Sequence, residues 1–231
     1  MKKAPCIFAS CKPWHRSSFD ELNSEGEMDW KWVSTPKELI ETLQESEPRY
    51  IFFLHWNWLV PTEIFSHHEC VCFHMTDVPY GRGGSPLQNL IKAGKTTTKL
   101  TALRMVGEMD AGPVYAKREM PLYGKAQDIY LRAGKLSIDI IRWMIKTQPT
   151  PVPQQGEATI FKRRKPEESE LPENGTLASI YDHIRMLDAE SYPLAYIEHG
   201  NLRITFSDAS LKNGELQAKV TITTTDTPDE E

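Results

Sequence analysis

The chain has 231 residues, 39% of them hydrophobic, and its 27 basic and 32 acidic side chains leave a net charge of −5. That length suits one globular domain, or one with a small appendage. The mild acidity predicts no nucleic-acid partner, because broad binding to phosphates relies on Lys and Arg. No apolar run approaches the roughly 18 residues needed to cross a bilayer, and the apolar stretch near the start is soon interrupted by Lys12, His15 and Arg16. The expectation is therefore no membrane span, no export and a cytoplasmic location. Four cysteines (Cys6, Cys11, Cys70, Cys72) are too few to staple a chain of this size, so reduced thiols are expected.

In chain order, "APCIFAS" is a short strand, and Ser17 or Ser18 is placed to cap a helix through "FDELN". "WKWVS" reads as a strand, and Thr35-Pro36 opens a helix with cap and first-turn proline in their preferred order. "RYIFFLHW" is apolar nearly throughout, as a strand buried on both faces of a parallel sheet must be. "PTEIFSHH" is a short helix and "CVCFHM" another buried strand. This alternation predicts an α/β fold with a doubly wound, Rossmann-like sheet. A Pro/Gly-rich loop, "TDVPYGRGGSP", then leads into a helix ending at Gly94. Two strand-like runs follow, "KLTALRMVG" and "GPVYAKREM", and then the longest helix, "AQDIYLRAGKLSIDIIRWMIKTQ", with Ile129, Leu131, Ile138, Ile141, Met144 and Ile145 at helical spacing. After the linker "PTPVPQQGE", a basic strand, a helix ("TLASIYDHIRML") and hairpins make a small C-terminal α+β extension. The expected division is a core over 1–155, an extension over 156–223 and a flexible tail over 224–231.

"HHECVCFHMTD" concentrates potential metal ligands at residues 67–77. On a strand, Cys70, Cys72 and His74 share a face with Cα atoms about 6.6 Å apart in turn. Tetrahedral zinc needs ligand atoms under about 4 Å apart, so no metal is expected. His74 stands out by position instead: it ends a central strand and precedes a glycine-rich loop, where open α/β sheets build their sites.

These residues carry a family likeness. "CFHMTDVPYGRGGSPLQNLIKAGKTTTKLTALRMVGEMDAGPVYAKREMPL" resembles the formyltransferases that use N10-formyltetrahydrofolate as formyl donor. That family reads as an Asn-x-His strand end, a glycine-bearing loop, a threonine-bearing strand and an Asp-x-Gly turn. The counterparts here are His74, "MTDVPYGRGGSP", "TTTKLTALRM" and Asp110-Ala111-Gly112. The wording "FHMTDVPYGRGGSPLQNLI" looks most like the sugar-nucleotide N-formyltransferases and the formylation domains of peptide synthetases. The resemblance implies transfer of a formyl group to the amine of a nucleotide-linked amino sugar, such as a UDP-4-amino-4,6-dideoxyhexose derivative of pseudaminic-type sugar synthesis in polysaccharide biosynthesis, by a monomer or homodimer. The alternatives are a methionyl-tRNA-like formyltransferase, disfavoured by the acidic balance and by only about 66 residues after Lys165, a formyltetrahydrofolate hydrolase, and a folate- or nucleotide-binding module without catalysis.

By the same resemblance His74 and Asp110 are the catalytic pair, with the imidazole serving as oxyanion donor or proton relay and the carboxylate as its orienter or as a proton acceptor. The family's asparagine, two residues before the histidine, is Cys72 here, and a thiol is a weaker donor. Asn57, or an ordered water, is expected to replace it. The donor's pterin is assigned a slot of Trp56, Trp58, Leu59 and Val60, with its edge read by backbone groups of Met105, Val106 and Gly107. Substrate contacts are assigned to Ser10, Lys12, Trp14, Tyr80, Arg82, Gly83 and Gly84, with Arg82 either on a phosphate or bracing its own loop.

Overall fold

The computed structural model describes residues 3–190 and 192–225. In chain order its elements begin with β1 (Pro5–Ala9), α1 (Arg16–Glu25), β2 (Asp29–Val33), α2 (Pro36–Glu45), β3 (Tyr50–Phe53), α3 (Thr62–His67), β4 (Cys70–His74), β5 (Arg82–Gly83), α4 (Pro86–Lys92) and β6 (Thr97–Arg104). They continue with β7 (Val114–Pro121), α5 (Ala126–Thr147), β8 (Ile160–Phe161), α6 (Leu177–Arg185), β9 (Ala195–His199), β10 (Leu202–Lys212) and β11 (Glu215–Thr224). They pack as two units. Of the described residues, one takes those up to Gly83 with 98–120 and 131–161; the other takes 84–97, 121–130 and those from Lys162 onward.

The first unit is an α/β domain around a six-stranded sheet of order β2-β1-β3-β4-β6-β7. Strands β2, β1, β3 and β4 run parallel, and β6 lies antiparallel to β4. Side chains alternate across the sheet, and both faces are apolar. Ile7 and Ala9, Ile51 and Phe53, and Cys70 share one buried cluster with Leu39 of α2 and Ile64 of α3. On the other face Phe8 stacks on Trp32 at 5.4 Å and meets Phe19 of α1 edge-on at 6.0 Å. Helices on both faces explain why these strands read as unbroken hydrophobic runs rather than alternating ones. Successive strands fall first on one side of β1 (β2) and then on the other (β3), so the sequence order reverses there. Crevices at such switch points are where open α/β sheets bind ligands.

The second unit holds the antiparallel sheet β11-β10-β9, bulged between Ser207 and Ser210. Helix α6 lies on β10, and Gln88 of α4 donates to the carbonyl of Met186 (3.0 Å) and faces the Tyr130 hydroxyl at 3.0 Å. Asp188 accepts the Asp208 amide at 2.7 Å beside Lys125. No helix among the described residues is long and apolar enough to cross a membrane.

Several local expectations change. Helix α1 is not capped by Ser17 or Ser18: Pro13–His15 form a 3₁₀ turn that runs directly into it, with His15 at the cap position. Ser85 occupies the N-cap position of α4 without a side-chain cap bond, and its hydroxyl accepts the Arg164 amide at 3.0 Å. Leu131 lies on the exposed side of α5, whereas Ile138, Ile141 and Met144 are buried. The expected chain boundary near 155 differs from the packing, since two internal segments join the C-terminal unit. Of the tail expected over 224–231, residues 226–231 lie outside the described residues.

Candidate active site

The site grows from the end of β4. Alternation places Cys70, Cys72 and His74 on one face, with Cys72 against the apolar cluster and His74 buried at the strand's last position. The histidine Nε2 donates to the carbonyl of Gly81 at 2.7 Å, and Nδ1 stands 3.5 Å from Asp110 Oδ2. A carbonyl can only accept, so Nε2 carries the proton of this bond, and Nδ1 is the ring nitrogen that faces the carboxylate. The Gly81 carbonyl therefore orients the ring, the task assigned to Asp110 as one of its two roles.

The segment after His74 is held by the threonine-bearing strand. Thr101 Oγ1 donates to the Thr76 carbonyl at 2.7 Å and Thr98 Oγ1 to the Met75 carbonyl at 3.0 Å. Thr76 Oγ1 adds a second donor to the Gly81 carbonyl at 3.2 Å. Asp77 is pinned between Lys99 (2.9 Å) and Lys117 (2.5 Å), which hold its carboxyl below the usual range despite partial burial.

Asp110 occupies the left-handed region (φ 53°) in the turn between β6 and β7. Its Oδ2 accepts the Gly83 amide at 2.9 Å, so the carboxylate oxygen that faces the imidazole is also tied to the loop. Gly112 makes the turn possible: a Cβ there would stand 1.7 Å from the Arg104 carbonyl oxygen. Cys72 is near enough to Asp110 that burial first and the carboxylate second push its thiol well above the ordinary range. It stays protonated, and its Sγ donates only weakly, to the Leu103 carbonyl at 3.8 Å. Asn57 is exposed in the loop after β3 and makes no hydrogen bond to His74, Cys72 or Asp110.

Arg82 braces its own loop, the second of its two assigned roles. Its Nε and Nη2 donate to Gln154 Oε1 at 3.1 and 3.0 Å, and Nη1 to Glu108 at 3.1 Å. The room at Gly83 and Gly84, assigned to close approach of a substrate, is taken by the protein itself. A Cβ on Gly83 would lie 2.5 Å from the Phe161 carbonyl oxygen, and one on Gly84 2.5 Å from Arg163 Cβ. The reason is that β5 pairs with β8. Tyr80 meets Phe161 edge-on at 5.4 Å.

Trp56, Val60 and Met105, like Cys72, pack partly buried on the cluster that holds Cys70. Trp56 lies edge-on to Phe53 and to Trp58, at 5.6 and 5.0 Å. Trp58, Leu59 and Val106 remain exposed, Leu59 at 83%, and Gly107 borders open space. The Met105 amide already donates to the Cys70 carbonyl at 2.9 Å, so it is not available to a ligand's edge. After β1, Ser10 is fully buried and its Oγ accepts the Lys12 amide at 3.2 Å, which makes it a loop brace rather than a substrate contact. Lys12 lies over the Trp14 ring at 5.4 Å.

Residues outside the expected set hold this edge together. His15 Nε2 and His55 Nδ1 share a 2.7 Å hydrogen bond, their rings stack at 5.0 Å, and Cys11 Sγ donates to the His55 carbonyl at 3.0 Å. These bonds tie the loop after β1 to the loop after β3. Burial lowers His15 to about 4, and burial followed by His15 and Lys12 lowers His55 to about 3, so both rings are neutral at pH 7. Gln154, inside a stretch whose composition reads only as a linker, gave no sequence signal at all.

Comparison with known proteins bears on what the site serves. Residues 166–223 match the family described as methionyl-tRNA formyltransferase, C-terminal domain. A methionyl-tRNA formyltransferase of Sulfurihydrogenibium sp. (strain YO3AOP1) is 26% identical over 80% of this chain and 62% of its own length. The chain spans 52–62% of the length of the first three curated relatives it matches. Among solved structures, methionyl-tRNA formyltransferase from Clostridium thermocellum is 44% identical with a TM-score of 0.93, covering 96% of this chain and 99% of that one. HypX from Aquifex aeolicus in complex with tetrahydrofolic acid shares the fold at 18% identity and a TM-score of 0.73, over 91% of this chain and 39% of that one. These matches overturn the sugar-nucleotide reading, together with the expectation of a nucleotide-sugar partner and no nucleic acid. A net charge of −5 is a sum over the whole chain and does not exclude a locally basic surface for a nucleic acid. By its likeness to the Clostridium thermocellum protein over nearly the full length of both, the chain belongs to the methionyl-tRNA formyltransferase family.

Proposed function

We propose that this chain transfers a formyl group from N10-formyltetrahydrofolate to the amino group of methionyl-tRNA. The observation that carries the reading is the buried imidazole of His74, held by the Gly81 carbonyl through Nε2 with Nδ1 turned to the Asp110 carboxylate. The donor fits the surroundings: Trp58, Leu59, Val106 and Met109 leave apolar surface exposed beside partly buried Trp56, Val60 and Met105, as a flat aromatic ligand requires. When bound, it supplies an activated formyl carbon, which bonds to the attacking amine as the bond to N10 breaks and N10 takes up a proton.

The chain's residues manage the proton and the charge. With Nε2–H committed to Gly81, Nδ1 is the atom that takes the proton lost by the attacking amine. The positive charge formed there stands 3.5 Å from Asp110 Oδ2, which stabilises it in a nearly dry site. The carboxylate is kept in place by the Gly83 amide. Charge developing on the formyl oxygen needs a donor, and Cys72, still a thiol, or Asn57 or a water supplies it. Cys72 favours a second reading, a folate-binding module that has lost transfer, because a good donor is missing where the family resemblance has one.

Incubation with methionyl-tRNA and the donor, read by mass as a gain of one formyl group on methionine, separates the two. His74→Asn and Asp110→Asn are expected to stay folded and to lose at least about 10²-fold in turnover. Donor bound without any formylated product from the wild-type chain would overturn the transfer reading.

A further inference from the structure

We infer that Gln154 is the positioning residue for the candidate catalytic pair, an assignment that rests on the function proposed above. Its side-chain amide has two acceptor sites and two N–H donors, and all four are engaged. Oε1 accepts Arg82 Nε and Nη2 at 3.1 and 3.0 Å, and Nε2 donates to the carbonyls of Asp110 and Gly112 at 2.7 and 2.8 Å. One amide thus joins the loop that follows His74 to the turn that carries Asp110.

The two ends of this clamp reach the chemistry by short routes. The Asp110 carbonyl is held on the same residue whose Oδ2 faces His74 Nδ1. Arg82 immediately precedes Gly83, whose amide donates to that same Oδ2. Asp110 needs such support, because a non-glycine residue at φ 53° relaxes toward other backbone regions unless its carbonyl is fixed. Only a primary amide fits. A carboxylate would keep the Arg82 contacts but set an oxygen against two carbonyl oxygens, and an aliphatic side chain would leave all four partners unpaired.

The test uses Gln154→Glu and Gln154→Ala in the full chain. Gln154→Glu retains an ion pair to Arg82 and should fold, yet lose about 10- to 100-fold in kcat, as a catalytic group displaced by about 1 Å does. KM for both substrates should stay within about threefold, because the bonds of Gln154 run to Arg82, Asp110 and Gly112 within the chain. Hydrogen exchange at the Gly83 amide should quicken in the same variant, since its acceptor, Asp110 Oδ2, shifts. Wild-type kcat together with wild-type protection of Gly83 in Gln154→Glu would overturn the assignment, as would a loss confined to KM. Should the wild-type chain show no transfer, the function reading falls, and the Gly83 exchange still decides whether Gln154 positions Asp110.

Discussion

The His15–His55 pair makes the stability of this protein depend on mild acid, and lowering the pH from 7 to 5 is the perturbation that exposes it. His15 is 1% exposed, and burial lowers it from an ordinary 6.5 to about 4. Between those values the unfolded chain binds a proton that the folded chain refuses, so stability rises with pH across this window and falls as pH drops through it. At pH 7 the ring is neutral in both states and no penalty applies. The full penalty, reached near pH 4, is about 3 kcal/mol for this ring alone, at 1.36 kcal/mol per pKa unit. The part developed between pH 7 and 5 is about 2 kcal/mol, with a slope close to 1 kcal/mol per pH unit. Urea unfolding followed by tryptophan fluorescence measures it, with Trp14 beside both rings (6.0 and 6.1 Å) as a local reporter. His15→Phe should be less stable than wild type at pH 7, by about 1–3 kcal/mol, because His55 Nδ1 loses its partner. The gap should then narrow by about 2 kcal/mol at pH 5. Parallel curves for the two proteins across this range would refute the linkage argument.

Three further outcomes follow from the site. Cys72→Asn puts a strong donor where the family resemblance has one and should raise turnover by about tenfold or more, given the 10²–10³ attributed to a single oxyanion donor; an unchanged or lower rate would show that the thiol position is not the deficit. Asn57→Ala should slow the wild-type chain by about tenfold if Asn57 now supplies that donor, and equal rates in the formylation assay would remove it from the site. Gly112→Ala places a methyl 1.7 Å from the Arg104 carbonyl oxygen, so the turn carrying Asp110 must deform. It should cost about 2–4 kcal/mol in melting experiments and abolish transfer, and wild-type melting would refute the close approach of Gly112 to the Arg104 carbonyl.

The strands and helices of the first unit were legible because their signals are local. Apolar runs such as "CIFA" and "YIFF" require burial on both faces, and Thr35 with Pro36 starts a helix wherever it stands: Thr35 Oγ1 accepts the Glu38 amide at 3.2 Å. The spacing of His74, the glycines and Asp110 matched a family pattern, and the fold brings imidazole and carboxylate to 3.5 Å. The sequence by itself determined this much, since hydrophobic period and backbone geometry are properties of a few neighbouring residues. Tertiary structure alone decided which atom orients His74, that Arg82 reaches Gln154 across 72 positions, and that Gly83 makes room for β8 and Gly84 for Arg163. It also paired His15 with His55, two residues that nothing in their neighbourhoods links. Hydrogen bonds and close contacts between distant segments depend on where the whole chain closes, and no window of sequence contains that information.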